Sequence, residues 1–226
     1  MGKLFSAKSV LASAVSAVLL LAAAAAHADI TTYTSQSSYL GAVGTTGVDS
    51  FDDLEIDEYL GPLTRTAGSY EYTVSAAPNS PTLWGASDDN ADIWLTGGNR
   101  LDLVTFAPST PVAGVGGFFF GSDLFGFSTP AAYLTLSATD STGATVTYTL
   151  DAPELNSFVG FVSTGSLVSF SVTAGNQPGV WATVNDLHLS GAAAVTTPVP
   201  EPETYGMMLA GLGLLGVIAR RKRRQA

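Results

Sequence analysis

The sequence predicts an all-β body, an antiparallel two-sheet β-sandwich of jelly-roll type. Three observations carry that reading. Apolar and hydroxyl-bearing residues alternate with period two. Turn residues, many of them Gly or Pro, separate the runs. No long stretch between Asp29 and Pro198 shows a helical period. Strict alternation marks a half-buried antiparallel strand, with one face in the core and one in water.

Taken in order, a short helical turn is expected from Ser37 to Val43, with Ser37 as its N-cap. Strands are then expected at Val48 to Asp52, Tyr70 to Ser75, Asp92 to Leu95, Leu101 to Phe106 and Val112 to Phe120. Leu134, Leu136 and Ala138 alternate with Thr135, Ser137 and Thr139, and Val146, Tyr148 and Leu150 with Thr145, Thr147 and Thr149. Asp140-Ser141-Thr142-Gly143 between them reads as a hairpin turn. Ser157 to Val162 follows, then Val168, Phe170 and Val172 alternating with Ser169, Ser171 and Thr173, then Ala182 to Leu189. About ten short strands in one domain, 29–190, suit a sandwich. Residues 191–199 are small and uncharged and end near Pro, which reads as a linker.

The two ends have different characters. Lys3 and Lys8 precede an apolar run from Val10 to Ala26, closed by Ala26-His27-Ala28. This is the pattern of a signal peptide, residues 1–28, cut by signal peptidase after Ala28. At the other end Val199-Pro200-Glu201-Pro202-Glu203 precedes an apolar run from Tyr205 to Ala219, and Arg220, Arg221, Lys222, Arg223 and Arg224 follow it. As a single transmembrane helix, 205–219 rises about 22 Å, short of the ~30 Å hydrocarbon core. Snorkelling of Arg220 narrows the gap. The five cations stay cytoplasmic, so the body lies on the far side. An ordinary permanent single-span anchor is the plain alternative. A glycolipid-anchor signal fits less well, because such tails end without a basic cluster.

The three-part tail resembles the PEP-CTERM sorting signal of Gram-negative bacteria, here residues 200–226 with Val199 just before them. The two prolines keep the motif extended and open to a protease. The resemblance implies processing by an exosortase at Pro-Glu-Pro and a link to exopolysaccharide and biofilm. It implies transient anchoring in the inner membrane with the body in the periplasm, then a place at the cell surface or beyond it. Val112 to Gly121, Phe158 to Phe161 and Trp181 to Leu187 resemble stretches of PEP-CTERM bodies, and of the jelly rolls found in carbohydrate-binding modules.

Composition excludes whole mechanisms. Residues 29–198 hold two arginines, Arg65 and Arg100, against seventeen acids, a net charge of −15. Such a surface repels nucleic acid and anionic lipid. With no cysteine there is neither a disulfide nor a thiol nucleophile. With no lysine in the body there is no Schiff base. The one body histidine, His188, sits in the alternating run Leu187-His188-Leu189 and is expected at the surface.

Two structural calcium sites are candidates. One joins Asp52 or Asp53 to Asp186, since first and last strands of such a fold are often neighbours. The other is Asp88, Asn90 and Asp92, spaced like a calcium loop but lacking its Gly and its distant Glu. Solvated turn acids are the plain alternative for both. A glycan platform from Trp84, Trp94, Trp181, Tyr133 and Tyr148 is a third candidate, set against the same aromatics as core. A glycosidase needs two carboxylates at a set separation in a cleft, and no spacing here picks out such a pair. The expectation is therefore a non-enzymatic, exported structural or adhesive protein. The alternatives are a calcium-stabilised, lectin-like carbohydrate-binding module, then a secreted carbohydrate-active enzyme.

Overall fold

A chain that alternates apolar and hydroxyl residues satisfies its backbone by pairing strand with strand. The computed structural model describes residues 29–194 and shows that solution throughout. Fourteen strands and one short helix run in the order β1 (Ile30–Tyr33), α1 (Gln36–Ala42), β2 (Val43–Asp49), β3 (Glu58–Leu60), β4 (Leu63–Ala67), β5 (Tyr70–Ala77), β6 (Thr82–Ala86), β7 (Trp94–Gly97), β8 (Leu103–Pro108), β9 (Val112–Ser122), β10 (Ser128–Thr129), β11 (Tyr133–Asp140), β12 (Thr145–Asp151), β13 (Phe158–Thr173) and β14 (Trp181–Ala192). They form one hydrogen-bonded antiparallel system in the order β3-β6-β7-β14-β9-β13-β8-β5-β4. Strands β1 and β11 also pair with β13, β12 with β11, β2 with β14 and β10 with β9.

β13 joins the two halves of this path. Its first part pairs with β9 and β1, its last part with β8 and β11. The sequence predicts two strands here; the structure has one of 16 residues. The core follows from this crossing. Phe170, on the last part, packs against Phe106 of β8 at 5.7 Å, Phe119 of β9 at 5.4 Å and Phe161 of its own first part at 5.9 Å. Residues from both halves therefore fill one hydrophobic core.

Opposite the core, hydroxyls line up across strands. Thr147, Ser137, Ser171, Thr105 and Ser75 are successive cross-strand partners on β12, β11, β13, β8 and β5. Ser137 bonds Thr147 at 2.9 Å and Thr139 bonds Thr145 at 2.8 Å. The expected hairpin turn is present. Asp140 Oδ1 accepts from the Thr142 and Ala144 amides at 2.8 and 3.0 Å, and Gly143 takes φ +87°.

The helix begins one residue before the expected span. Its N-cap is Ser35, not Ser37, and Ser35 Oγ accepts from the Ser38 amide. Tyr39 of α1 then packs onto a glycine-lined patch of β9 and β13. A Cβ at Gly114 would meet the Tyr39 hydroxyl at 2.8 Å, and one at Gly160 its ring at 2.5 Å. That close approach explains two glycines inside strands. At the far end β14 runs to Ala192, two residues into the span expected as linker.

Candidate functional site

β6, β7 and β14 are neighbours, and their registers place Trp84 opposite Thr96 and Thr96 opposite Thr183. Trp84 points away from the core, 38% exposed, while its neighbour Leu83 is fully buried. Trp181 opens β14 nearby. Both indoles line a groove of about 430 Å³ together with Ile56, Asp123 and Phe125, a size typical of small-molecule sites.

The third wall is the loop between β9 and β10. Asp123 Oδ1 accepts from the Phe125 and Phe127 amides at 2.8 and 3.1 Å, and Gly126 N–H donates to the Asp123 carbonyl at 3.0 Å. This closed turn holds Leu124 and Phe125 in water, 73% and 76% exposed. The loop is fastened from below. Trp94 Nε1–H donates to the Gly126 carbonyl at 3.0 Å, and Asp88 accepts from the Ser128 amide at 2.8 Å. Trp94 is itself buried with Ala86 and Phe120, edge-on to the Phe120 ring at 5.1 Å.

The five aromatics expected as a glycan platform therefore separate. Trp84 and Trp181 share the groove, and Trp94 braces its loop. Tyr133 and Tyr148 belong to the β11–β12 hairpin, with Tyr148 packed on the core. Phe125 is the residue that sequence reading missed. Its signal was Asp123 and Gly126 bracketing exposed apolar residues, a turn that displays rather than buries.

The calcium candidates regroup. Asp53 forms an ion pair with Arg65 rather than approaching Asp186. Asp88 turns to Ser128, and Asn90, at φ +62°, is exposed at the tip of the 87–92 turn. Asp89 caps that turn through the Ala91 and Asp92 amides. Asp52, Asp92 and Asp186 instead draw together. Asp52 accepts from the Ile93 amide at 3.1 Å and Asp92 from Asn185 Nδ2 at 2.8 Å. Burial pushes the Asp186 carboxyl up, His188 pulls it the other way, and the Asp92 and Asp52 charges push it further up. Among the described residues, no group of three or more His, Cys, Asp or Glu is arranged to hold a metal ion.

His188 is buried, not at the surface as expected, with only 2% exposed. Its Nδ1 lies 2.6 Å from the Asp186 carbonyl and its Nε2 3.1 Å from Gln36 Nε2. Phe158 and Tyr39 pack edge-on to the ring. The physical reason is that β14 is covered on both faces: Leu187 and Leu189 enter the main core, while Tyr39 of α1 and Phe158 cover His188 and Tyr39 bonds Ser190. Burial lowers the affinity of the ring for a proton.

A second network was also missed. Asp49, nearly buried, accepts from Arg65 Nε and from Tyr72 Oη, both at 2.7 Å. Arg65 lies 5.2 Å over the Phe51 ring. Burial alone would lower the Arg65 proton affinity, but the Asp49 and Asp53 carboxylates raise it above the ordinary value. Burial and the Asp49 charge hold the Tyr72 hydroxyl protonated.

The sorting residues lie elsewhere. Ala26 and Ala28, Val199 to Glu203, the span 205–219 and Arg220 to Arg224 all fall outside the described residues. Among the described residues no helix is long and apolar enough to cross a membrane. The family comparison decides the tail: residues 198–224 match the PEP-CTERM protein-sorting motif. The chain carries a PEP-CTERM sorting motif. The PEP-CTERM match supports an exosortase substrate, exported and processed at a membrane before release. No curated protein matches the chain.

Proposed function

We propose that this PEP-CTERM chain is a non-enzymatic, polysaccharide-adhering protein of the cell surface or extracellular matrix. Its body would be a two-layer sandwich of jelly-roll type, a reading supported by the single core filled from both halves of the strand path. One observation carries the adhesive role. Two indoles and an exposed Phe line one groove of about 430 Å³ on an acidic body. Exposed apolar patches of this kind mark binding sites. Aromatic faces stack on the apolar faces of sugar rings and leave the ring hydroxyls in water.

The test is binding of the full-length chain, held in detergent micelles, to a panel of polysaccharides. Trp84→Ala and Trp181→Ala should each weaken binding roughly tenfold, the equivalent of about 1.4 kcal/mol. Tyr133→Ala, outside the groove, should leave it unchanged. Equal binding by all three variants would remove the groove from the reading. Release of reducing sugars by the purified chain would overturn the non-enzymatic role.

A calcium-stabilised form of the same module is the second reading. The Asp52 and Asp92 charges acting on Asp186 motivate it, because a divalent cation would relieve their mutual repulsion, although the three carboxylates are not arranged as a ready-made metal site. Millimolar calcium should then raise the melting temperature of the wild type, and raise it less in an Asp186→Asn variant. No shift in either removes calcium from the reading.

A further inference from the structure

The chemistry of the groove wall points beyond sugar binding in general. We infer that the groove prefers a polysaccharide carrying free amines, an amino sugar in its deacetylated, cationic form. This rests on the groove being a glycan site. Three observations select the charge.

The first is the wall itself. Asp123 lines the groove, and the bonds that close its turn use Oδ1, not Oδ2. The second lies on the neighbouring strand. Glu58 of β3 is the cross-strand partner of Trp84. Directly opposed residues of an antiparallel pair project from the same face, so this exposed carboxylate stands beside the exposed indole. The third is the lack of competing cations. Arg65 is tied to Asp49 and Asp53. Arg100 donates to Asn176 Oδ1 and the Gln177 carbonyl at 3.0 and 3.1 Å. These two are the only basic residues between Ser9 and Ala219 apart from the histidines.

A protonated amine on a sugar stacked against Trp84 would find Asp123 in the groove wall and Glu58 on the adjacent strand. Ion pairing and cation–π attraction act together in that arrangement. A uronic-acid polymer would meet like charge at the same rim, and like-charge juxtaposition is costly. An acetylated or neutral sugar could use only the stacking.

The experiment compares glucosamine oligomers, N-acetylglucosamine oligomers and glucose oligomers of equal length, by calorimetry on the full-length chain in micelles at neutral pH. Glucosamine oligomers should bind at least tenfold tighter than either of the others, and added salt should shrink that margin. Glu58→Gln with Asp123→Asn should abolish the preference, so that the glucosamine oligomers bind no tighter than the neutral ones. The side-chain amide introduced by Asp123→Asn keeps an oxygen to accept from the Phe125 and Phe127 amides, so the loop survives the change. Neutral oligomers binding as tightly as the amine would overturn the inference and leave the glycan groove standing. Binding of none of the three would remove the groove reading itself, and the preference with it.

Discussion

Asp186 occupies a left-handed backbone position at φ +47°, where Asp and Asn are favoured among residues with a side chain. Its carboxyl is pushed up, first by burial, with Asp92 and Asp52 adding to the shift. The consequence for stability has a definite sign. A carboxyl easier to protonate in the folded state stabilises the fold at acid pH, where it is neutral. That contribution is lost as pH rises through its folded value. At neutral pH Asp186 is therefore a liability without a cation. Asp186→Asn keeps the left-handed preference and removes the charge. It should melt higher than wild type at pH 7 in chelator, and the gain should vanish below the ordinary carboxyl value of 3.8. A lower melting point for the variant at pH 7 would show that the charge is used in the fold. His188 runs the other way, since its lowered affinity for a proton costs stability as pH falls below 6.5. At this scale sequence was a poor guide. Asp52 was paired with Asp186, but Asp92 was placed in a separate group, because side-chain convergence depends on which strands neighbour one another. The Asp49–Arg65–Tyr72 network had no sequence signal beyond the scarcity of arginine.

Among elements, the alternating strands were the easy part. β11, β12 and the turn at Asp140 lie where alternation put them, because each has a clean apolar face against the core. β1, β3, β4, β6 and β10 were missed. They are two to five residues long, too short for a period to register. β6 supplies Trp84 and β10 anchors the displayed loop, so half of the candidate groove was hidden for that reason. The loop also tests how its display is maintained. Gly126 takes φ +84°, and a Cβ there would meet Ala86 Cβ at 2.5 Å. Gly126→Ala should therefore cost about 1–2 kcal/mol from the left-handed conformation alone. The contact with Ala86 should also lift the loop off Trp94. Polysaccharide binding should fall with the loop, while the far-UV spectrum stays that of the wild type. Unchanged binding would mean that Phe125 is not a wall of the site.

The whole molecule divides its charge by destination. Seventeen acids and two arginines lie in residues 29–198, while five of the nine basic residues lie in Arg220 to Arg224. The body suits water and repels an anionic membrane surface; the tail suits the cytoplasmic face of one. The two parts have opposite preferences, and a cut between them would free the body. The motif match at 198–224 spans the place where that cut is expected. Mass spectrometry of the protein from its native host should then find extracellular material that begins near Asp29 and ends between Pro200 and Glu203. Replacing Glu201 with Ala within Pro200-Glu201-Pro202 should shift the protein to an uncut membrane fraction without changing its melting temperature, because the last described strand, β14, ends at Ala192. Extracellular protein that still carries Arg224 would refute release by cleavage. The groove would then act at the membrane, where adhesion would tether the cell rather than cross-link a matrix.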